Sequence, residues 1–330
     1  KRVRFKRTPE HSIFQMHVGQ HYENMPKNAL RSDPHVKLAY DALVKELDMQ
    51  FRSLNLAVDF MQPILRDGKQ VYDASGDPMY IDPYTNADGK LDSTLAIRDV
   101  RQNRHLYVYP TTEGTVGDAG DKADFEYLAK NHPLFQQSGF KTRTGQPMMW
   151  NDVLRAVHDA LAHGTYGSSF SENGEENAFV AHAILTQDPW AIWALATETR
   201  MQNSWVHYGP HRVLADGAFV TTKPEGFATQ KVGLSSLECL YTGCSTVDDR
   251  LRVFSRKLRT EFNGYNGTIS YLTNRQGATV PNMGSRTGAV ESEMKRKLYI
   301  MRGLPGSGKS TKAKELAGKL GKIFSTDEYF

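Results

Sequence analysis

Between Pro34 and Asn55 the apolar positions Val36, Ala39, Tyr40, Leu43, Leu47 and Phe51 recur at three- and four-residue intervals, which predicts one amphipathic helix with a single buried stripe. The pattern then shortens. Residues 56–110 carry the alternating runs "LAVDF", "PMYID" and "HLYVY", separated by turns containing Gly and Asp, and these predict a small sheet or a set of hairpins. From 123 to about 208 the helical period returns, with helices expected near 123–131, 150–163, 175–187 and 189–205. Residues 209–290 are mixed and hold Gly- and Thr-rich stretches such as "NGYNGTIS" with no clear period. Residues 1–33 open with Lys1, Arg2, Arg4, Lys6 and Arg7 and show few periodic apolar positions, so a basic arm, flexible or bound to a partner, is expected there. No internal repeat is visible.

The 330 residues include 39% hydrophobic and 24% charged side chains, which fits folded protein and excludes collagen-like, low-complexity and coiled-coil chains. A net charge of +4 is too small to imply nucleic-acid binding by itself. The two cysteines, Cys239 and Cys244, are too few for a disulfide framework or a four-cysteine zinc site, so a reducing, cytoplasmic setting is expected. The longest apolar run, "AILTQDPWAIWALA", is broken by Gln187, Asp188 and Pro189 well short of the roughly 20 residues a bilayer demands. No membrane partner is expected. Length suggests about two domains, and the composition changes near residue 286: from there to 330, ten lysines and arginines stand against five acids. We therefore expect an α+β domain over 34–285, mainly helical in its centre, a linker over 286–296, and the truncated start of an α/β domain over 297–330.

One motif is rejected at once. "YTNADG" places Asn86, Asp88 and Gly89 in the order of a calcium loop, but Tyr84 and Leu95 would occupy the first and twelfth positions, where an EF-hand needs carboxylates. A solvated Asx turn is expected instead.

The strongest chemical signal is "KLYIMRGLPGSGKSTKAKELAGKL". Gly303, Gly308, Lys309 and Ser310 stand at the spacing G-x-x-x-x-G-K-[ST], after the apolar strand Leu298–Met301 and before a helix-forming segment. Glycines at 303, 306 and 308 would let backbone N–H groups turn inward around a polyphosphate at a helix N-terminus. In such a loop Lys309 reaches the β/γ-phosphates of ATP and Ser310, followed by Thr311, binds magnesium. The segment "KIFSTDEYF" then reads as a second strand running into Asp327. Residues 297–330 thus resemble the opening of P-loop kinases of the polynucleotide-kinase type, with Gly303, Pro305, Gly306, Ser307, Gly308, Lys309 and Ser310 matching the loop. The resemblance implies an ATP- and Mg-dependent phosphotransferase, nucleic acid as acceptor, Lys309 and Asp327 as catalytic residues, and a further carboxyl-terminal kinase segment. Asp327 falls where that family carries the carboxylate that takes a proton from the acceptor hydroxyl; Phe330 replaces an arginine often found three residues later.

The second signal is a histidine block: His158, Asp159, His163, Glu175, Glu176 and His182 lie within 25 residues, beside the apolar stripe Trp150, Val153, Leu154, Val157 and Leu161. Three chemical readings stay open. The His158–Asp159 pair suggests an HD-type phosphohydrolase, whose next histidine normally comes four positions on and here comes five. "H-D-A-L-A-H" resembles the iron-binding H-E-x-x-G-H segment of pterin-dependent aromatic amino acid hydroxylases, with Asp159 for the family's Glu and Ala162 for its Gly. That resemblance implies iron, or another transition metal, on His158, His163 and a downstream glutamate, Glu198. The third reading joins Glu175 or Glu176 and His182 to His158. On a straight α-helix His158 and His163 would diverge by about 140° at 3.6 residues per turn, so sharing an ion requires the helix to distort or end near Gly164.

Against all three stands a structural reading, in which the histidines are core residues, "SENGEEN" is a capped helix start, and Glu198 and Arg200 form a salt bridge. "ETRMQNSWVHYGPHR" crowds Arg200, Gln202, Asn203, Trp205, His207, Tyr208, His211 and Arg212, which reads equally as a nucleotide or nucleic-acid pocket or as a buried polar network. Residues 150–212 also resemble a block of uncharacterised tailed-phage proteins. The expectation is a multifunctional nucleic-acid-processing or modifying enzyme, with a kinase start and a metal-dependent oxygenase or hydrolase in the centre. A non-catalytic scaffold or virion-associated protein is the alternative.

Overall fold

In the computed structural model the residues described are 9–73, 78–112, 122–212, 228, 230–235 and 237–240. All belong to the first of two compact units, Lys1–Met283; the second, Gly284–Phe330, lies outside them. The phosphate loop expected from Gly303 to Thr311, and Asp327, therefore lie outside the described residues.

The fold is mixed α+β. Helix α2, Pro34–Leu54, forms where the periodicity predicts it. Asp33 caps it by accepting from the His35 N–H, Pro34 supplies the preset first turn, and Asn55 ends it at φ 47°. Its stripe of Val36, Ala39, Tyr40, Leu43 and Leu47 is buried in the main core. There it packs on α5, Trp150–His158, and α7, Pro189–Ala196. Helix α7 is buried along most of its length, from Ala191 to Ala196, as expected of a segment with no polar face.

The alternating region yields strands, though not a meander. Strand β1, Ala57–Phe60, pairs in parallel with β6, His105–Val108, in the register Ala57 to His105 and Phe60 to Val108. Parallel pairing needs a crossover, and α3, Ser93–Asn103, supplies it, started by the Asp92 cap and ended by Arg104 at φ 52°. That helix replaces part of the expected hairpin array. Between β1 and α3 lie only short pairings, β2 Gln62–Pro63 with β5 Tyr80–Ile81 and β3 Leu65–Arg66 with β4 Lys69–Gln70. Asn86 forms the expected Asx turn, its Oδ1 accepting from the N–H groups of Asp88 and Lys90 at 3.0 and 2.9 Å. Helix α4, Lys122–Asn131, leads to the hairpin β7 Gln137–Lys141 and β8 Pro147–Met149.

Three expectations need correction. Residues 9–24 are a helix, α1, Pro9–Asn24, that packs on α8, Gln202–Tyr208, and buries Gln15, Val18 and Tyr22; the weak periodicity hid it because the buried face mixes polar and apolar groups. The helices expected over 150–163 and 189–205 are not continuous α-helices. The first changes after His158 into a π-helical turn, Asp159–Thr165, and the second is interrupted by another, Thr197–Met201. Helix α6, Glu172–Leu185, capped by Ser171, packs against both turns. No helix among the described residues is long and apolar enough to cross a membrane.

Candidate metal centre

The π turn brings the two histidines together. With i→i+5 hydrogen bonding a residue stands over the one five positions earlier, so a spacing that diverges on an α-helix converges here. His158 ends α5, His163 lies inside the turn, and their rings meet edge to face with centroids 5.3 Å apart. Gly164 lets α3 pack closely on the turn: a Cβ there would fall 2.6 Å from Val100 Cγ1. The turn is then closed by Gly167, at φ 72°, whose N–H bonds to the His163 carbonyl at 2.9 Å.

The third member is Glu175, in the first turn of α6. One carboxylate oxygen lies 3.3 Å from His163 Nε2 and 3.8 Å from His158 Nε2. The candidate ligand atoms of His158, His163 and Glu175 all lie within 4.8 Å of one another. His163 is almost wholly buried, stacked on Phe170 at 3.9 Å, while the Glu175 side chain keeps 28% of its exposure, so the group is reachable from one side.

Hydrogen bonds fix the tautomers of both imidazoles. Thr186 Oγ1 donates to the His182 carbonyl and accepts from Gln50 Nε2, which turns Gln50 Oε1 toward His182 Nε2 at 2.9 Å. An amide oxygen only accepts, so His182 carries its proton on Nε2 and offers a lone pair at Nδ1. His158 Nδ1, 3.2 Å away, donates to it. His163 Nδ1 donates to the Ser168 carbonyl at 3.1 Å. Each neutral ring thus spends its proton on Nδ1 and turns a bare Nε2 lone pair inward, and neither Nε2 has a hydrogen-bond partner among the described residues. Buried imidazole nitrogens without partners are uncommon and costly.

The three groups are electrostatically linked. Burial pushes the Glu175 carboxyl up, but the imidazoles of His158 and His163 beside it hold it down to about 2. Burial pulls His163 down, and the Glu175 carboxylate more than offsets this, leaving its basicity raised. Burial and then His158 keep His182 neutral, well below the usual histidine range. The Asp159 carboxyl, coupled to His163, His158 and Glu175, is raised by burial.

Glu198 does not join this group. It lies in the second π turn, where its carboxylate accepts from Tyr40, from Gln202 at 3.3 Å and from Gln230 at 2.9 Å. The hydroxylase-like ligand set therefore loses its carboxylate: Glu198 is held by Tyr40 of α2, and it is Glu175 of α6 that faces the histidines. The third reading of the sequence is redistributed: Glu175 joins His158, His182 acts through a hydrogen bond, and Glu176 is fully buried against Arg200 in a two-pronged ion pair. No Glu198–Arg200 salt bridge is present.

The crowded segment after Glu198 is a packing network. Arg200 also donates to the Cys239 carbonyl and lies over the Phe179 ring, Asn203 donates to the Glu172 carbonyl, Tyr208 to the Glu172 carboxylate, Trp205 to Glu23, and Arg212 to the Val206 carbonyl. Gln50, Thr186, Ser168 and Phe170 were not foreseen. Gln50 precedes His158 by 108 positions and stands in a helix whose pattern announces only packing.

Compared with known protein families, curated proteins and solved structures, the chain matches none.

Proposed function

We propose that the described unit is a mononuclear metal centre, with His158 Nε2, His163 Nε2 and a Glu175 carboxylate oxygen as the protein ligands of a first-row transition ion. The observation that supports it is the pair of buried Nε2 atoms that face one Glu175 carboxylate oxygen at 3.3 and 3.8 Å and make no hydrogen bond elsewhere among the described residues. A proton on His163 Nε2 would pair that ring with Glu175 and still leave His158 Nε2 bare; one dication serves all three. A ligand histidine normally donates its other nitrogen to a carbonyl or another acceptor, which is what Ser168 and His182 provide. Two imidazoles and one carboxylate leave coordination positions open, a set used by hydrolytic zinc and by oxygen-activating iron.

Of the two chemistries the surroundings favour hydrolysis. The ion would act as a Lewis acid on water or on a phosphoryl oxygen. Asp159, whose carboxyl is raised and coupled to both ligand histidines, is suited to accept the proton of the attacking water. With the P-loop of residues 303–311 read as the start of an ATP- and Mg-dependent kinase, the whole is a multifunctional nucleic-acid-processing enzyme.

Metal analysis of the purified chain tests this. About one equivalent of zinc or iron is expected, retained through dialysis and lost in His163→Ala and Glu175→Gln with helical circular dichroism unchanged. A wild-type chain that stays metal-free after incubation with Zn²⁺ or Fe²⁺ would mean that His163 and Glu175 form a structural ion pair, as their opposite basicity shifts also permit.

A further inference from the structure

An open cleft of about 370 Å³ lies against α3, lined by Thr94, Ile97, Arg98, Arg101, Gln102 and Gly167. Gly167 belongs to the turn that carries His163: its N–H bonds to the His163 carbonyl, and the next carbonyl, of Ser168, accepts from His163 Nδ1. Arg101 ties the two pieces together, its Nε donating to the Gly164 carbonyl at 2.6 Å. The cleft and the histidine centre therefore share one short stretch of backbone, held on α3 by a hydrogen bond and by the Gly164–Val100 contact.

The charges in the cleft are unequally committed. Asp92 is spent on the helix cap, accepting from Thr94 N–H and hydroxyl, and Asp99 accepts from Tyr84, Asn103 and His105. Arg98 is exposed and interacts electrostatically with that same capping Asp92; neither it nor Gln102 makes a hydrogen bond to another described residue. Two arginines and a glutamine among the lining residues give the cleft a positive, hydrogen-bonding character suited to a phosphate group, although Arg101 Nε is already spent on the Gly164 carbonyl, and Ile97 offers an apolar wall for the sugar or base attached to it.

We propose that this cleft is a phosphate-ester subsite, and that it holds the substrate of the histidine centre by a phosphate on a nucleotide or on a nucleic-acid strand. This rests on the metal-centre reading above. Arg98 would bind by charge, whereas Arg101 would bind and also hold the Gly164 turn.

The test uses the full chain carrying Lys309→Ala, so that the P-loop does not supply the phosphate contacts. Binding of thymidine 5′-monophosphate and of a single-stranded hexamer, with and without its 5′-phosphate, is followed by calorimetry at low and moderate salt, and metal content is measured on the same samples. Tighter binding of a phosphorylated probe, weakened about tenfold by Arg98→Ala and less by Gln102→Ala, is expected. Preference for the mononucleotide would identify a free nucleotide as the source, and preference for the hexamer a strand. Equal binding with and without phosphate, or affinity within twofold in Arg98→Ala, overturns the proposal. Phosphate-dependent binding by a chain that takes up no metal supports the cleft and overturns the metal reading alone. Metal uptake without phosphate-dependent binding does the reverse.

Discussion

The π turns Asp159–Thr165 and Thr197–Met201 both interrupt a helix, both pack against α6 and both carry ionisable side chains, yet they leave those side chains in opposite states. Adjacent glutamates of α6 divide between them. Glu176 meets Arg200 of the second turn in a closed, fully buried pair, and Glu198 in the same turn accepts three hydrogen bonds. Glu175 meets His158 and His163 at the first turn, where two nitrogens remain without partners. Backbone distortion and buried charge are therefore common to a packed junction and to a candidate site. What separates them is whether every lone pair is already used.

The sharpest way to break this comparison is to treat the neighbouring glutamates alike. Glu176→Ala strands the Arg200 guanidinium in the interior and is expected to cost about 3–5 kcal/mol in denaturant unfolding, with metal retained by whatever fraction stays folded. Glu175→Ala is expected to cost far less stability and to release the metal. Equal losses of stability from the two would erase the distinction drawn between the turns.

Next in size is the support behind His158. Leucine at position 50 removes the acceptor that fixes His182, and through it the tautomer of His158. Metal affinity is expected to fall about 10–100-fold in Gln50→Leu, the usual cost of losing an outer-shell partner, while Gln50→Glu, which keeps an acceptor there, restores much of it. Nitrogen-15 chemical shifts of the imidazoles would report the tautomer directly. An unchanged His158 tautomer in Gln50→Leu would end the relay argument.

A smaller effect is expected on the other side of the comparison. Tyr40→Phe deletes one of three donors to Glu198 and should cost about 1–3 kcal/mol of stability with no change in metal content. Metal loss in that variant would show that the second turn is coupled to the first after all.

These contrasts also mark what the sequence could disclose. Helix α2 was legible because its stripe recurs at helical spacing, and the Asx turn because Asn86 stands in a polar run. The pair His158 and His163 was legible as a candidate, and so was the condition that the helix must distort or end near Gly164 for both to bind one ion; the structure takes the first course. The partner was legible only as one alternative among several, since Glu175 stood beside Glu176, His182 and Glu198 with nothing local to choose it. Glu198 lies at a distance along the chain that suits the hydroxylase pattern, whereas Glu175 owes its place to how α6 packs across the turn, a tertiary fact that no local spacing encodes. Helix α1 was missed for the same reason, since Gln15 is buried by its neighbours and not by its own hydrophobicity.

The smallest expected effect is also the one that separates a metal centre from an ion pair without changing the fold. In the metal-free chain the raised basicity of His163 means that the folded state holds its proton more tightly than the unfolded chain does. The pair with Glu175 therefore contributes its full stability between the unfolded glutamate value of 4.5 and the unfolded histidine value of about 6.5; it is lost as pH rises through the raised His163 value and, on the acid side, as pH falls from 4.5 through the Glu175 value of about 2. The slope is at most about 1.4 kcal/mol per pH unit, the limit for one proton. His182, and His132, which burial holds down to about 3, work the other way: each stays neutral when folded, so their stability is lost as pH falls below about 6.5. The readout is accordingly the difference between wild type and Glu175→Gln, in which those histidines cancel. Metal reverses the sign, because an ion on His163 Nε2 must displace the proton and so binds more tightly as pH rises. Apo and metal-loaded chains should thus show opposite pH slopes relative to Glu175→Gln between pH 6 and 8. Parallel slopes would place His163 and Glu175 with the closed pair of Glu176 and Arg200.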